Sequence, residues 1–167
     1  ADTLFIVDPW IWGALWLGVF WSRRRARKGA DRSVAPARLA LAAVGAYIAT
    51  MGTMSIAARR TVRAQLEAKG ITADTVVVDP VFASPVSRRV IYLWNGSYHL
   101  ATYRLVSGEL SAPWFEIPVN QDDPAVVAAN RTTLAREYHS WTRLPYYVIE
   151  RDKDSTWVTI ADARYTL

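Results

Sequence analysis

The longest apolar stretch of the chain, LALAAVGAYIATMGTMSIA, runs from Leu39 to Ala57 without a charge, between Arg38 and the Arg59–Arg60 pair. As a helix, these nineteen residues rise roughly 28 Å, close to the hydrocarbon thickness of a bilayer. A helix also satisfies every backbone group within itself, which lipid requires. A composition so rich in Ala, Gly and Thr would equally suit a buried core helix of a soluble protein. A second apolar run, WIWGALWLGVFW, precedes it from Trp10 to Trp21, with Leu4 to Val7 in front. Asp8 suits the N-cap of this helix and Pro9 its first turn. Trp10, Trp12, Trp16 and Trp21 fit the aromatic belt that holds helix ends at the headgroups. The pattern predicts two transmembrane helices.

Beyond Ala57 the helical period continues. Ala58, Val62 and Leu66 form a stripe, Arg63 and Glu67 can pair along the helix, and Gly70 supplies the stop. The second helix is therefore expected to project about three turns out of the membrane. Within the span, Ala42, Gly45, Ala49, Gly52 and Thr53 recur at spacings that let backbones approach, with Gly13 and Gly18 of the first helix as partners.

From Ile71 the period shortens to that of strands. Thr75 to Asp79 is a β-branched run, and Pro80 and Pro85 bracket a loop. Two β-rich runs then flank Asn95-Gly96, the dipeptide of a type I′ hairpin. A two-residue turn pairs Trp94 with Ser97, Tyr92 with His99 and Val90 with Ala101, leaving Ile91, Leu93, Tyr98 and Leu100 as the core face. A further strand is expected around Trp114 to Val119. Asp122-Asp123-Pro124 starts a helix running towards Trp141, and Tyr146–Arg151 with Thr156–Tyr165 makes a closing hairpin. The expected fold is membrane α plus α+β: a two-helix anchor over residues 1–70, and over 71–167 an antiparallel sheet of about five strands with one packed helix.

Charge sharpens the topology. Residues 1–70 hold eleven Lys/Arg against four Asp/Glu, net +7, whereas 71–167 hold nine against eleven, net −2. The basicity thus lies beside the apolar runs, where cations meet lipid headgroups, and a nucleic-acid partner is disfavoured. Seven cations (Arg23, Arg24, Arg25, Arg27, Lys28, Arg32 and Arg38) face Asp31 in the loop between the runs. By the positive-inside rule, residues 22–38 are cytoplasmic and the C-terminal domain is extracytoplasmic. The chain opens at Ala1 with no basic region ahead of its first apolar run, which reads as a protein lacking an N-terminal portion rather than as a signal peptide.

Local chemistry is sparse. With no Cys, thiolate nucleophiles and Cys-ligated zinc are excluded. His99 and His139 each lack a companion at metal-ligand spacing, and both read as structural. There is no phosphate-cradling glycine loop and no nucleophile elbow. Asp8 is the notable acid, because an ionisable group at membrane depth needs a partner or a purpose. Capping its helix is the simpler purpose; a catalytic one is the alternative.

Taken together, LFIVDPWIW, the basic loop, the Tyr-containing second span, VVVDPVFASPVSRRVIYLWNGSYHLATYRL, the W-x-R-x-P step at Trp141, Arg143 and Pro145, and the D-x-R-Y ending at Asp162, Arg164 and Tyr165 resemble a known family. They are similar to the C-terminal part of bacterial inner-membrane-associated metal-dependent hydrolases of the YdjM/YbcI type, over essentially the whole chain. Arg88 departs from the pattern, which commonly has Trp before Arg89, and the role of that corner is left open. The resemblance implies a multi-pass inner-membrane hydrolase with a divalent, zinc-like metal held by N-terminal helices that this chain lacks. Those helices, or other membrane helices, would be partners alongside the lipid bilayer. Only Asp8 could belong to the catalytic site. Asp79, Arg89, Trp141, Arg143, Asp162 and Arg164 are implied as structural or substrate-contacting. The tail after Gly70 would be an accessory domain; a non-catalytic anchored binding or scaffold domain is the alternative.

Overall fold

The helix stop expected at Gly70 is present, as a Schellman closure. Gly70 sits at φ 75°, its N–H donates to Glu67 O at 2.9 Å, and the Ile71 N–H donates to Leu66 O at 2.9 Å. It ends α2 (Ala35–Ala68), the longest element of a computed structural model that describes residues 8–27, 35–81 and 84–166. The Leu4–Val7 run, the middle of the basic loop and Phe82–Ala83 lie outside the described residues. Before α2 comes α1 (Pro9–Arg27); after it come β1 (Thr75–Val81), β2 (Ser84–Trp94), β3 (Ser97–Arg104), β4 (Glu109–Leu110) and β5 (Phe115–Pro118). Two short helices, α3 (Pro124–Ala129) and α4 (Thr133–His139), lead to β6 (Pro145–Arg151), β7 (Thr156–Asp162) and a 3₁₀ turn at Ala163–Tyr165. The five-stranded sheet has the order β1-β2-β3-β4, with β5 also on β3, while β6 and β7 form a separate two-stranded sheet. The architecture is helices plus antiparallel sheet.

The chain falls into two units. The first holds the residues up to Ala64 with Val78–Arg89 and Tyr103–Leu110; the second holds Gln65–Val77, Val90–Thr102 and Ser111–Leu167. In the first, α1 and the start of α2 pack antiparallel. A Cβ placed on Gly18 would lie 2.5 Å from Ala40 Cβ, and further along the pair Asp8 meets Tyr47. One stripe of α2 does all the packing: Ala40, Val44 and Tyr47 are half-buried, and Met51, Ser55, Ala58 and Val62 are buried at spacings of three and four. The expected small-residue face is not the contact. Ala42, Gly45, Ala49 and Thr53 are exposed, and a Cβ on Gly13, Gly45 or Gly52 would meet nothing within 4 Å. The Asp8–Tyr47 hydrogen bond fixes which face of α2 turns towards α1, and that face is the neighbouring one.

Only α2 is long and apolar enough to cross a membrane among the described residues, and just 11% of its most apolar window is buried. In α1 the apolar run stops at Trp21, and Arg23, Arg24, Arg25 and Arg27 occupy its last turns.

In the second unit, Asn95 and Gly96 both have positive φ (50° and 74°), as the type I′ turn requires. The Tyr92 and His99 rings stack at 5.1 Å, in keeping with their expected pairing. The expected core face is the core: Ile91, Tyr98 and Leu100 pack with Ile117, Val119, Leu144 and Ala163, and Leu93 lies against them. β1 extends past the expected stop, through Pro80 to Val81, because it is the sheet's first strand, where a missing N–H breaks no inner ladder. The single helix expected after Asp122 is two. Asn130 caps the end of α3, and Thr132 starts α4 by accepting the Ala135 N–H at 3.2 Å.

Candidate functional site

The carboxylate singled out in the sequence, Asp8, is fully engaged. Its Oδ1 accepts the Trp10 N–H at 2.9 Å, and its carbonyl accepts the Trp12 N–H at 3.2 Å, so it caps α1. Its Oδ2 accepts the Tyr47 hydroxyl at 2.9 Å. One half-buried acid therefore starts one helix and fastens it to another. Tyr47, the one tyrosine of the Leu39–Ala57 run, was the unforeseen partner.

Two more of the implied residues fall in the first unit's strands. Asp79 on β1 is buried and Arg89 on β2 is half-buried. The departure at Arg88 is the largest fully buried side chain among the described residues, 1% exposed. Arg88 Nη2 lies 3.2 Å from Met51 Sδ, and Nη1 donates to the Ser87 carbonyl at 3.2 Å. Sequence reasoning treated Arg88 as a blemish in a pattern, whereas it joins β2 to α2.

The second unit gathers Arg143, Asp162 and Arg164. Asp162, 3% exposed, accepts the Arg143 N–H at 3.0 Å, the Arg164 N–H at 2.9 Å, and the Arg164 guanidinium at 2.8 Å from Nη2 and 3.0 Å from Nε. Burial pushes the Asp162 carboxyl upward. The Arg164 side-chain bonds, the two backbone bonds and the Arg164 charge outweigh it and hold the group below the usual carboxylate value. An acid held ionised in this way is a poor proton donor near neutrality and a good clamp. It fixes the start of the 3₁₀ turn and the end of β7. Trp141 stands apart, 55% exposed, with its ring edge-on to Tyr138 at 4.5 Å.

A cluster that the sequence did not announce lies in the same unit. His139 Nε2 is 3.0 Å from Asn130 Oδ1 and 3.2 Å from the Tyr147 hydroxyl, and Asn130 Nδ2 donates to that hydroxyl at 3.0 Å. An amide oxygen only accepts, so His139 carries its proton on Nε2. Asn120 Nδ2 donates to the Tyr147 carbonyl at 2.9 Å. Two asparagines and a histidine thus hold β6 by one tyrosine. His99 is enclosed between Tyr92 and Trp94, with Nε2 3.3 Å from the Trp94 carbonyl.

For the divalent metal, the described residues offer no group of three His, Cys, Asp or Glu side chains able to hold an ion. Asp8 could give one ligand but belongs to no such group, so the residues described do not fit a metal centre on their own. No family model, curated protein or solved structure matches the chain.

Proposed function

We infer that this chain is a membrane-held module in which α2 crosses the bilayer, α1 lies against its first half, and the β-rich remainder is presented at the membrane surface. The observation that carries the reading is the outward face of the helix pair. Trp12, Trp16 and Trp21 are each 66% exposed and Leu39 is 71% exposed, with Leu41 and Ile56 alongside. A water-soluble core helix hides such side chains; lipid is the solvent they suit. The arginines after Trp21 put the loop over residues 22–38 in the cytoplasm and the β-rich part on the other side of a bacterial inner membrane. Other membrane helices can dock on the exposed small-residue face.

The module's task is accessory. It is the C-terminal portion of a membrane-bound metal-dependent hydrolase, and its β-rich part covers the site or selects substrate at the lipid surface. Asp8 is the residue that would link the module to that site: its bond from the Tyr47 hydroxyl is of the kind that orients a ligating carboxylate, and it equally serves a helix cap. Its remaining ligands, and the divalent ion, would come from outside the described residues. A non-catalytic anchored binding domain is the second reading, and it needs Asp8 only as a cap.

Membrane fractionation of the full chain tests the anchor. It should pellet with membranes through high salt and alkaline carbonate, and recovery in the soluble fraction would overturn the reading. Reconstituted alone with Zn²⁺ or Mn²⁺, the chain should hydrolyse no phosphoester; turnover lost in Asp8→Asn would refute the accessory role.

A further inference from the structure

We propose that the outer face of α4, together with Trp141, is a docking surface for anionic lipid headgroups. The proposal rests on the membrane-held reading and deepens it, since it names the surface by which the second unit touches the bilayer. Leu134 is 78% exposed and Trp141 is 55% exposed. Tyr138, half-buried, stands between them, and its ring meets that of Trp141 edge-on at 4.5 Å. Leu134, Tyr138 and Trp141 follow at i, i+4 and i+7, so they make one stripe along the helix and its end.

The opposite side of the helix keeps this stripe turned outward. Ala135 is buried. His139, one turn further on the same side, is bonded to Asn130 Oδ1 at 3.0 Å and to the Tyr147 hydroxyl of β6 at 3.2 Å. Thr132 fixes the start of α4 by accepting the Ala135 N–H at 3.2 Å. With Ala135 and His139 committed to the interior, Leu134 cannot roll into the core.

Charge selects what covers the stripe. Arg131, Arg136 and Arg143 are exposed around it, against one acid, Glu137. Residues 131–143 are thus net +2, while the rest of 71–167 holds six Lys/Arg against ten Asp/Glu, net −4. A mildly acidic domain gathers its positive charge beside an exposed leucine and tryptophan. An anionic bilayer supplies both partners at once: phosphates for the guanidinium groups, and the headgroup layer that Trp and Tyr rings favour. Tethering by α2 holds that surface at high effective concentration, so a weak contact suffices.

The chain has no cysteine, so single-cysteine variants of the full chain carry an environment-sensitive fluorophore at one place each. In vesicles of phosphatidylcholine and phosphatidylglycerol, labels on Leu134→Cys and Trp141→Cys should show blue-shifted emission quenched by nitroxide lipids. Both signals should be lost in phosphatidylcholine alone, in high salt, and when Arg131→Glu and Arg136→Glu are added. The salt arm needs no charge variant, so it stands even if the double substitution disturbs folding. Labels on Leu41→Cys and Ile48→Cys report the span, and one on Asp154→Cys reports water. Lipid quenching at Leu41 and Ile48 but red, unquenched emission at 134 and 141 would overturn the docking and leave the span intact. Blue-shifted emission there that nitroxide lipids do not quench would mean a protein neighbour and would overturn it too. Equal quenching in phosphatidylcholine alone would overturn the choice of an anionic headgroup. Water-like emission at Leu41 and Ile48 would remove the membrane reading and this proposal with it.

Discussion

The Tyr47 hydroxyl donates to Asp8 Oδ2 at 2.9 Å, across 39 positions of sequence, while Asp8 Oδ1 holds the Trp10 amide of its own helix. Tyr47→Phe removes only the interhelical bond, and it should lower hairpin stability by about 1 kcal/mol. Asp8→Ala removes that bond and the cap, adding about 1 kcal/mol more. Unfolding in bicelles followed by tryptophan fluorescence measures both. Equal losses would show that the capping bond contributes nothing.

Gly18 is the close-approach point of the same helices. A methyl group there would stand 2.5 Å from Ala40 Cβ, with the Pro36 carbonyl at 3.4 Å, so no rotamer change relieves it. Gly18→Ala should separate the helices at a cost of about 1–3 kcal/mol, and adding Ala40→Gly should restore much of the loss. Gly13→Ala and Gly45→Ala, which meet open space, are controls expected to change little. If Gly18→Ala behaves like them, the helices do not pack there.

Much of this was legible along the chain, and the exceptions have physical causes. The helix end at Gly70, the turn at Asn95-Gly96 and the core face of Ile91, Tyr98 and Leu100 are local decisions: a left-handed residue, a positive-φ dipeptide and an alternation. The face by which α2 meets α1 is not local. Small residues advertised one face, and a hydrogen bond between Tyr47 and Asp8 selected its neighbour. The break between α3 and α4 turned on Asn130 and Thr132 acting as caps inside a run that read as one helix. Of the residues in the D-x-R ending, Asp162 and Arg164 pair directly. The tyrosine cluster at Asn130, His139 and Tyr147 gave no signal, because its members are spread over three elements.

Asp162 also predicts the acid limit of the second unit. Its carboxyl ionises below the ordinary value of 3.8 in the folded chain. The stability it contributes is therefore complete above that value and is lost as pH falls through the lower, folded one. Arg164→Ala leaves a buried carboxylate without its charge partner and should cost about 3 kcal/mol or more. Arg151→Ala breaks a shorter pair, 2.6 Å to Asp123, but Arg151 is 57% exposed and the change should be small. Denaturant melts of both variants at neutral pH check the ranking, and a reversal would mean that Asp162 is not the clamp.

Tyr98 sets the alkaline limit. It is 5% exposed in the core cluster, and its phenol is pushed up to about 12, first by burial and then by the charges of Asp162 and Tyr147. The unfolded chain ionises this tyrosine near its ordinary value of 10.0, so above that pH the unfolded state sheds a proton that the folded state keeps. The contribution is intact below pH 10 and drains away as pH rises through about 12. Tyr98→Phe cannot ionise, so its stability should fall less steeply than that of the parent chain between those limits. Parallel curves for the two proteins in alkaline denaturant titrations would show that the buried phenol does not govern the loss.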